Sequence, residues 1–359
     1  MKLPFLSLIL LFLSFSGTAQ SPSLNVIAYY SGGVDHIDGY PVEKITHIIY
    51  SFCHLKGNRL HVDDARDTAT IKKLVSLKKK NPSLKVMLSL GGWGGCKTCS
   101  DVFAVSANRK EFAGSVKEIN DYFGTDGIDL DWEYPGIPGH PDHPWQVADK
   151  PNFTSLVQEL RHSLGPVHEI SFAAGGFPQF LEEAVEWKKL EPLINRVNLM
   201  SYDLVSGFST RTGHHTPLYS NNNQVPSADH AIDWLDSIGF ALDKIVIGAA
   251  FYARTWEHVA AANNGLYQDG RFKSFVPYKT FPQQLTKEKG FSFFRDPVSQ
   301  APYAYNATEK IFATFDDETS IRAKTKYARE KKLNGIMFWE LTLDKKEGGL
   351  LDAMYAEKF

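Results

Sequence analysis

Short apolar and β-branched runs alternate with longer amphipathic stretches along most of the chain. This alternation predicts a βαβα succession, in which helices cover a parallel sheet. Eight runs are predicted to be strands, and they span residues 25–31, 46–52, 85–90, 127–132, 169–174, 196–202, 244–251 and 335–339. Helices are predicted at residues 67–80, 109–123, 152–164, 227–237 and 318–332.

Eight strands with covering helices predict an α/β fold of the (β/α)8 or TIM barrel type. In that fold, functional residues lie at the carboxyl ends of the strands. The predicted seventh and eighth strands are separated by a longer interval than the others. Within it, residues 256–308 are rich in aromatic and turn residues, which predicts a small β-rich lobe inserted between strand seven and helix seven. We therefore expect residues 20–359 to form one barrel that carries this lobe on its rim.

Residues 1–19 have the pattern of a secretory signal peptide. Lys2 precedes an apolar run, and the small residues Gly17, Thr18 and Ala19 suit cleavage by signal peptidase. The run is short for a membrane span, and no later stretch approaches the roughly 20 apolar residues that a span needs. The sequence therefore predicts a secreted protein, extracellular or periplasmic, with no membrane partner.

Cysteine content and charge narrow the possible functions. Export permits disulfides, and Cys96 and Cys99 can pair within a surface loop. A redox or zinc role for this Cys-x-x-Cys pair is the alternative, although no second pair of ligands accompanies it. Lys and Arg total 39 against 41 for Asp and Glu, and the net charge of -2 provides no basic field. Nucleic acid is therefore not an expected partner.

The predicted fourth strand ends in a run of acids, Asp126-Gly127-Ile128-Asp129-Leu130-Asp131-Trp132-Glu133. Because side chains alternate along a strand, Asp129, Asp131 and Glu133 share one face, and the apolar residues between them share the other. Three carboxylates on the inward face of a barrel strand would repel one another at a cost of several kcal/mol unless partly protonated or hydrogen-bonded. That cost indicates a function. Asp126 has the opposite parity and is expected to be a structural hydrogen-bonding residue.

Three interpretations of the acids follow from the residues alone. Crowding raises the pKa of at least one carboxyl group, and Glu133, the longest and nearest the strand end, is then the natural general acid. Alternatively, the oxygen-rich cluster binds calcium or magnesium. As a third interpretation, the acids face water on a solvated edge strand.

The same run resembles the D-x-x-D-x-D-x-E signature of family 18 glycoside hydrolases, the chitinases and their relatives. Four further motifs of that family have counterparts in the right order, at Ser89-Leu90-Gly91-Gly92-Trp93, Met200-Ser201-Tyr202-Asp203, Tyr252-Ala253-Arg254 and Trp339. The resemblance covers essentially the whole mature chain. The predicted lobe is similar to the α+β insertion of the deep-cleft chitinase subfamily.

The resemblance implies retention of configuration without an enzyme nucleophile, because the substrate's N-acetyl oxygen attacks the anomeric carbon and forms an oxazolinium ion. It implies that Glu133 is the acid and base, that Asp131 orients the acetamido group, that Asp129 supports Asp131, and that Tyr202 hydrogen-bonds the acetamido oxygen. No metal and no cofactor are expected. The expected substrate-binding residues are Trp339, Asp203, Arg254, Trp93, Tyr134, Phe52, Tyr29, Ser89 and Gly92, of which Tyr29 and Ser89 are expected to donate to the acid cluster.

The predicted function is hydrolysis of β-1,4 linkages in chitin or N-acetylglucosamine oligosaccharides by a secreted monomer. One alternative is an endo-β-N-acetylglucosaminidase acting on glycan cores, which would use the same acetamido participation. Another is a chitin-binding lectin without catalysis. Such lectins usually lack the catalytic glutamate, whereas Glu133 is present in this chain.

Overall fold

The computed structural model describes residues 24–359, so the predicted signal peptide lies outside the described residues. Eight parallel strands form a closed barrel, because the first strand pairs with both the second and the last. The barrel strands, numbered one to eight in chain order, are Asn25–Tyr30, His47–Lys56, Lys85–Gly91, Gly127–Asp131, Glu169–Gly175, Arg196–Met200, Ile245–Ala250 and Gly335–Trp339. The predicted (β/α)8 barrel is confirmed.

Helices cover the outside of the barrel, as the amphipathic stretches predicted. The α-helices are Ala65–Ser76, Cys99–Ala104, Ser106–Phe123, Asp149–Leu164, Trp187–Leu190, Ala228–Ser237, Phe281–Gln284, Glu318–Glu330 and Leu350–Glu357. Shorter 3-10 or π-helical turns lie at Val42–Lys44, Leu77–Lys79, Phe180–Ala184, Leu242–Lys244, Ala262–Gly265, Tyr278–Thr280 and Leu341–Leu343. No helix within residues 24–359 is both long and apolar enough to cross a bilayer.

Local sequence accounts for several helix ends. Asp64 begins the first helix by accepting hydrogen bonds from two backbone N–H groups of its first turn. Asp317 and Ser320 form a reciprocal capping box at the start of Glu318–Glu330. Gly124 ends Ser106–Phe123 in the left-handed conformation that favours glycine.

A separate antiparallel sheet follows the seventh barrel strand and forms the inserted lobe. Its strands are Tyr252–Glu257, Arg271–Pro277, Phe291–Arg295, Pro302–Asn306 and Ile311–Thr314. The predicted insertion between strand seven and helix seven is confirmed, but its sheet extends beyond residues 256–308 at both ends. The second barrel strand also forms a hairpin with Arg59–His61.

Two layers of buried side chains stabilise the barrel. The larger layer lies between the strands and the helices, and it includes Ile128, Leu130 and Trp132 of the fourth strand. The interior holds apolar residues such as Ile49 and Met337. The alternation of the fourth strand therefore directs its apolar residues outward and leaves its acids for the interior.

Two smaller predictions have clear outcomes. Asp126 accepts a hydrogen bond of 2.7 Å from the backbone N–H of Val86 and pairs with Lys78 at 2.6 Å, which confirms its structural role. Cys96 and Cys99 form a disulfide, which confirms the predicted pairing.

Candidate active site

Asp129 lies deepest of the three acids and is fully buried. One of its oxygens accepts hydrogen bonds from Tyr29 at 3.0 Å and Ser89 at 2.9 Å, and the other from Ser171 at 2.6 Å and Asn198 at 3.1 Å. Burial raises the pKa of Asp129, and these donors oppose the rise. The carboxyl group is thus held in one orientation by four side chains from four barrel strands.

Asp131 lies one step higher on the same strand face and is also buried. Its Oδ1 makes no hydrogen bond to any residue that the structure describes. Burial, followed by the charges of Glu133 and Asp129, raises the pKa of Asp131 well above its usual range. An acceptor oxygen without a donor is costly in a buried site, so this position is prepared for a donor from a ligand.

Glu133 follows the end of the fourth barrel strand and lies on the wall of a cavity. Burial raises its pKa to about 7; a hydrogen bond from Tyr134 lowers the value and the charge of Asp203 raises it. A carboxyl group with such a pKa is partly protonated near neutral pH. It can therefore donate a proton and, once ionised, accept one.

The cavity next to these acids lies at the carboxyl ends of the barrel strands and has a volume of about 800 Å³. Aromatic rings and carboxyl groups share its walls. It is lined by Phe52, Trp93, Asp131, Glu133, Tyr134, Pro138, Gly139, Gly175, Phe177, Met200, Tyr202, Asp203, Leu204, Ser206, Gly207, Phe208, Tyr252, Arg254, Phe272, Phe275 and Trp339. A volume of this size accommodates a ligand of several rings.

Trp339 and Phe52 provide a flat apolar surface in the cavity. Their rings are stacked with centroids 5.6 Å apart and an interplanar angle of 15°. Gly92 has a φ of +81°, and a Cβ at this position would lie 2.4 Å from the Phe52 ring. Gly91 approaches the backbone oxygen of Asp131 equally closely, since a Cβ there would lie 2.2 Å from it. The two glycines thus allow close approach to Phe52 and to the acid strand.

Asp203 anchors a second polar group on the cavity wall. It accepts hydrogen bonds from the Arg254 guanidinium and, at 2.8 Å, from Tyr252, and His215 lies 3.4 Å away. Burial alone would raise the pKa of Asp203, but Arg254 and His215 outweigh it and hold the pKa below its usual range. Asp203 is therefore an anion at neutral pH.

Aromatic side chains form the outer rim of the cavity. Trp93 contacts Tyr134 with ring centroids 6.5 Å apart, and it contacts Phe208 at 6.0 Å. Trp93 is 38% exposed, so part of its ring remains open to a ligand in the cavity. These rings come from the loops after the third, fourth and sixth barrel strands, and they extend the apolar wall outward.

The structure brings most of the predicted site residues together around the cavity. They are Glu133, Asp131, Tyr202, Trp339, Asp203, Arg254, Trp93, Tyr134 and Phe52. Asp129 lies beneath it. Tyr29, Ser89 and Gly92 are buried and do not line the cavity. Tyr29 and Ser89 donate to Asp129, as expected from the sequence, and Gly92 makes room for Phe52.

Several residues at the site were missed from the sequence. They include His215 behind Asp203, and Tyr252, Phe272, Phe275, Phe208 and Phe177 on the wall. Tyr252 stood within a motif that was already recognised. The others are aromatic residues in loops or in the inserted lobe, where no periodic pattern indicates which side chains face a cavity.

Sequence comparison identifies relatives over nearly the whole described chain. The sequence model of glycosyl hydrolases family 18 matches residues 25–344. Chitinase A1 of Niallia circulans is 33% identical over 304 residues, which cover 77% of this chain and 43% of that protein. Chitotriosidase-1 of Mus musculus is 31% identical over 328 residues, covering 84% of this chain and 68% of that protein. The matched part of this chain thus spans less than half the length of Chitinase A1.

Structural comparison gives the same result. A glycoside hydrolase family 18 N-acetylglucosaminidase from Paenibacillus barengoltzii has a TM-score of 0.84 and 33% sequence identity. The match covers 93% of this chain and 99% of that one. Both the barrel and the inserted lobe of this chain therefore fall largely within the shared fold.

Proposed function

This chain belongs to glycosyl hydrolase family 18, and we propose that it is a secreted chitinase that cleaves β-1,4 linkages between N-acetylglucosamine units with retention of configuration. The observation that carries the proposal is that Asp131 and Glu133 lie next to each other on the cavity wall. Asp131 offers a buried acceptor oxygen without a partner, and beside it Glu133 has a pKa of about 7. A sugar with an acetamido group supplies the donor that Asp131 lacks and the linkage oxygen that Glu133 protonates.

In the first step, Glu133 donates its proton to the glycosidic oxygen and the bond to the anomeric carbon breaks. The carbonyl oxygen of the substrate's own acetamido group forms the new bond to that carbon. The product is an oxazolinium ion, and the shortened chain leaves as an alcohol. Asp131 accepts the acetamido N–H and stabilises the positive charge that develops, because a nearby buried carboxylate binds a cation more strongly than the neutral ground state.

In the second step, ionised Glu133 takes a proton from water, and the water oxygen attacks the anomeric carbon on the face that the leaving group vacated. The oxazolinium ring opens, the acetamido group is restored, and Glu133 is protonated again. Two displacements at one carbon retain its configuration. No carboxylate of the enzyme forms a covalent bond with the sugar. This agrees with the contacts of Asp129, which is hydrogen-bonded, and of Asp203, which pairs with Arg254, since neither carboxylate is free to act as a nucleophile.

The other wall residues have roles in positioning. We assign Trp339, stacked on Phe52, as the surface beneath the reacting sugar. Tyr202 is assigned as the donor to the acetamido oxygen, and Asp203 as a partner of the distorted sugar. Trp93 and Tyr134 flank Glu133 on the rim, where they can contact the leaving part of the chain.

The test is product analysis with Glu133→Gln beside the wild-type enzyme on N-acetylglucosamine oligomers. The variant should lose hydrolysis yet retain measurable binding, since the amide keeps the shape of the acid but cannot transfer a proton. By NMR, the wild-type product should appear first as the β-anomer. Full activity of the variant, or initial release of the α-anomer, would contradict the mechanism.

A second candidate function differs in the size of the product. The structural neighbour from Paenibacillus barengoltzii is described as an N-acetylglucosaminidase and matches this chain over nearly its full length. By that likeness, the enzyme would release single N-acetylglucosamine units. A product time course on oligomers beside an N-glycan substrate separates this activity from internal chitin cleavage and from hydrolysis of glycan cores.

A further inference from the structure

His215 is a fully buried residue that contacts Asp203 of the cavity wall. Its Nδ1 lies 3.4 Å from Oδ1 of Asp203, and its ring packs against Tyr252 with ring centroids 5.2 Å apart. The backbone N–H of His215 donates to Oγ1 of Thr314 in the lobe at 3.2 Å, and its carbonyl accepts from the N–H of Leu204 at 3.0 Å. His215 therefore connects the loop that follows Asp203 to the inserted lobe.

The two ring nitrogens of His215 have different surroundings. Nδ1 faces the carboxylate of Asp203, whereas Nε2 is buried and has no hydrogen-bond partner among the residues that the structure describes. Burial lowers the pKa of His215 and outweighs the opposing effect of Asp203. The ring is therefore neutral near neutral pH and carries a single proton, which the carboxylate holds on Nδ1. His215 is thus a donor to Asp203 through Nδ1.

The donors to Asp203 are divided unequally between its two oxygens. Oδ1 accepts from Tyr252 at 2.8 Å, from Nε of Arg254 and from His215, while Oδ2 accepts from one further nitrogen of Arg254. A carboxylate oxygen has about two lone pairs, so three donors occupy Oδ1 fully and Oδ2 keeps room for another. Because Asp203 lines the cavity, a sugar hydroxyl can supply that donor.

The backbone of Asp203 also depends on support from its neighbours. Its φ is +57°, in the left-handed region that residues other than glycine adopt at a cost. Such a conformation persists where the surrounding contacts hold it. Without the donor from His215, one fixed contact on Oδ1 is lost and the carboxyl group is less firmly oriented.

We propose that His215 is a positioning residue, whose Nδ1–H holds Asp203 in the orientation that presents Oδ2 to a hydroxyl of the distorted sugar. This role rests on the proposed function, in which Asp203 binds that sugar. His215 does not line the cavity, so it acts through Asp203. Because the sugar is distorted on the way to the transition state, loss of His215 should affect kcat more than KM.

The experiment compares kcat and KM of three His215 variants on N-acetylglucosamine oligomers. Asparagine places an amide N–H where Nδ1 lies, glutamine places one where Nε2 lies, and leucine has no donor. His215→Leu and His215→Gln should lower kcat about tenfold, the effect of one hydrogen bond lost from the transition state, and change KM by less than about twofold. His215→Asn should keep kcat within about threefold of the wild type, because it restores the donor to Oδ1.

The matched control is His214→Leu. His214 is also fully buried, but its Nε2 lies 3.2 Å from Asp296, and the residue does not line the cavity. Its loss should lower the melting temperature and leave kcat at the wild-type value.

Equal kcat values for the three His215 variants would refute the positioning role and leave His215 a packing role alone. Should His215→Leu fail to fold, the comparison of His215→Asn with His215→Gln decides the question by itself. Absence of hydrolysis of any oligomer by the wild-type enzyme would instead refute the proposed function.

Discussion

Glu133→Gln should stabilise the protein, and the gain should grow as the pH rises from 5 to 8. Burial raises the pKa of Glu133 from an ordinary 4.5 to about 7. The folded state therefore binds this proton more tightly than the unfolded state. Wild-type stability is highest while the carboxyl is protonated and decreases as the pH rises from 4.5 through about 7. Glutamine has nearly the same shape and no proton to lose.

The magnitude follows from the size of the shift. Each pKa unit corresponds to about 1.36 kcal/mol, so ionisation of Glu133 costs the folded state about 3 kcal/mol at pH 8 but only about 1 kcal/mol at pH 5. The negative charge of Glu133 also raises the pKa of Asp131. Its removal reduces the repulsion between the two carboxyl groups, so this contribution also stabilises the variant. For a chain of this length, the melting temperatures of variant and wild type should diverge by about 3 °C between these pH values.

Differential scanning calorimetry at one-unit pH intervals measures the difference in melting temperature between Glu133→Gln and the wild type. Glu347→Gln is the matched control, because Glu347 is exposed and the same chemical change there removes no buried charge. Its melting-temperature difference from wild type should stay constant across the range. If the melting temperatures of Glu133→Gln and wild type differed by the same amount at pH 5 and pH 8, the raised pKa of Glu133 would be refuted. The physical basis for Glu133 as the acid would be lost with it.

Three further predictions concern a charge beside Glu133, the close packing at Gly92 and a buried ion pair. Asp203→Asn removes a charge that raises the pKa of Glu133, so the alkaline limb of the pH–rate profile should move to lower pH; an unmoved limb would contradict this coupling. Gly92→Ala should lower activity on short oligomers and reduce the melting temperature, because the added methyl group displaces Phe52; a crystal structure with Phe52 unmoved would argue against it. Lys324→Met should cost about 3–5 kcal/mol in urea unfolding, since it leaves Asp316 buried without its cation. The double variant with Asp316→Asn should recover part of that loss.

The barrel strands were predictable because each is a short buried run of apolar residues between turn residues. Such a pattern depends only on neighbouring positions in the sequence. The inward face of the fourth strand was also predictable from local sequence, because side chains alternate between the two faces of a strand. Asp126, Asp129 and Asp131 accordingly lie on the sides that parity assigned to them.

Contacts between distant segments were not predictable in this way. Phe52 stacks on Trp339 although their strands are not neighbours in the sheet. Arg254 has the position expected of a substrate contact, but its guanidinium pairs with Asp203, which only the folded geometry reveals. In the lobe strand Arg271–Pro277, the pairing register shifts between Phe272 and Ser274. Simple alternation of side chains would place Phe272 and Phe275 on opposite faces, so it gave no indication that both line the cavity.

The three acids of one strand face acquire different properties from the number of donors around them. Asp129 has four side-chain donors, whereas Oδ1 of Asp131 has none among the described residues. A bound acetamido N–H would supply that donor, stabilise the ionised form of Asp131 and so lower its pKa. The resulting charge raises the pKa of Glu133, because the two carboxyl groups repel each other. Substrate binding would thereby keep the general acid protonated at a pH where the free enzyme is losing its proton. The alkaline limb of kcat should accordingly lie at higher pH than that of kcat/KM.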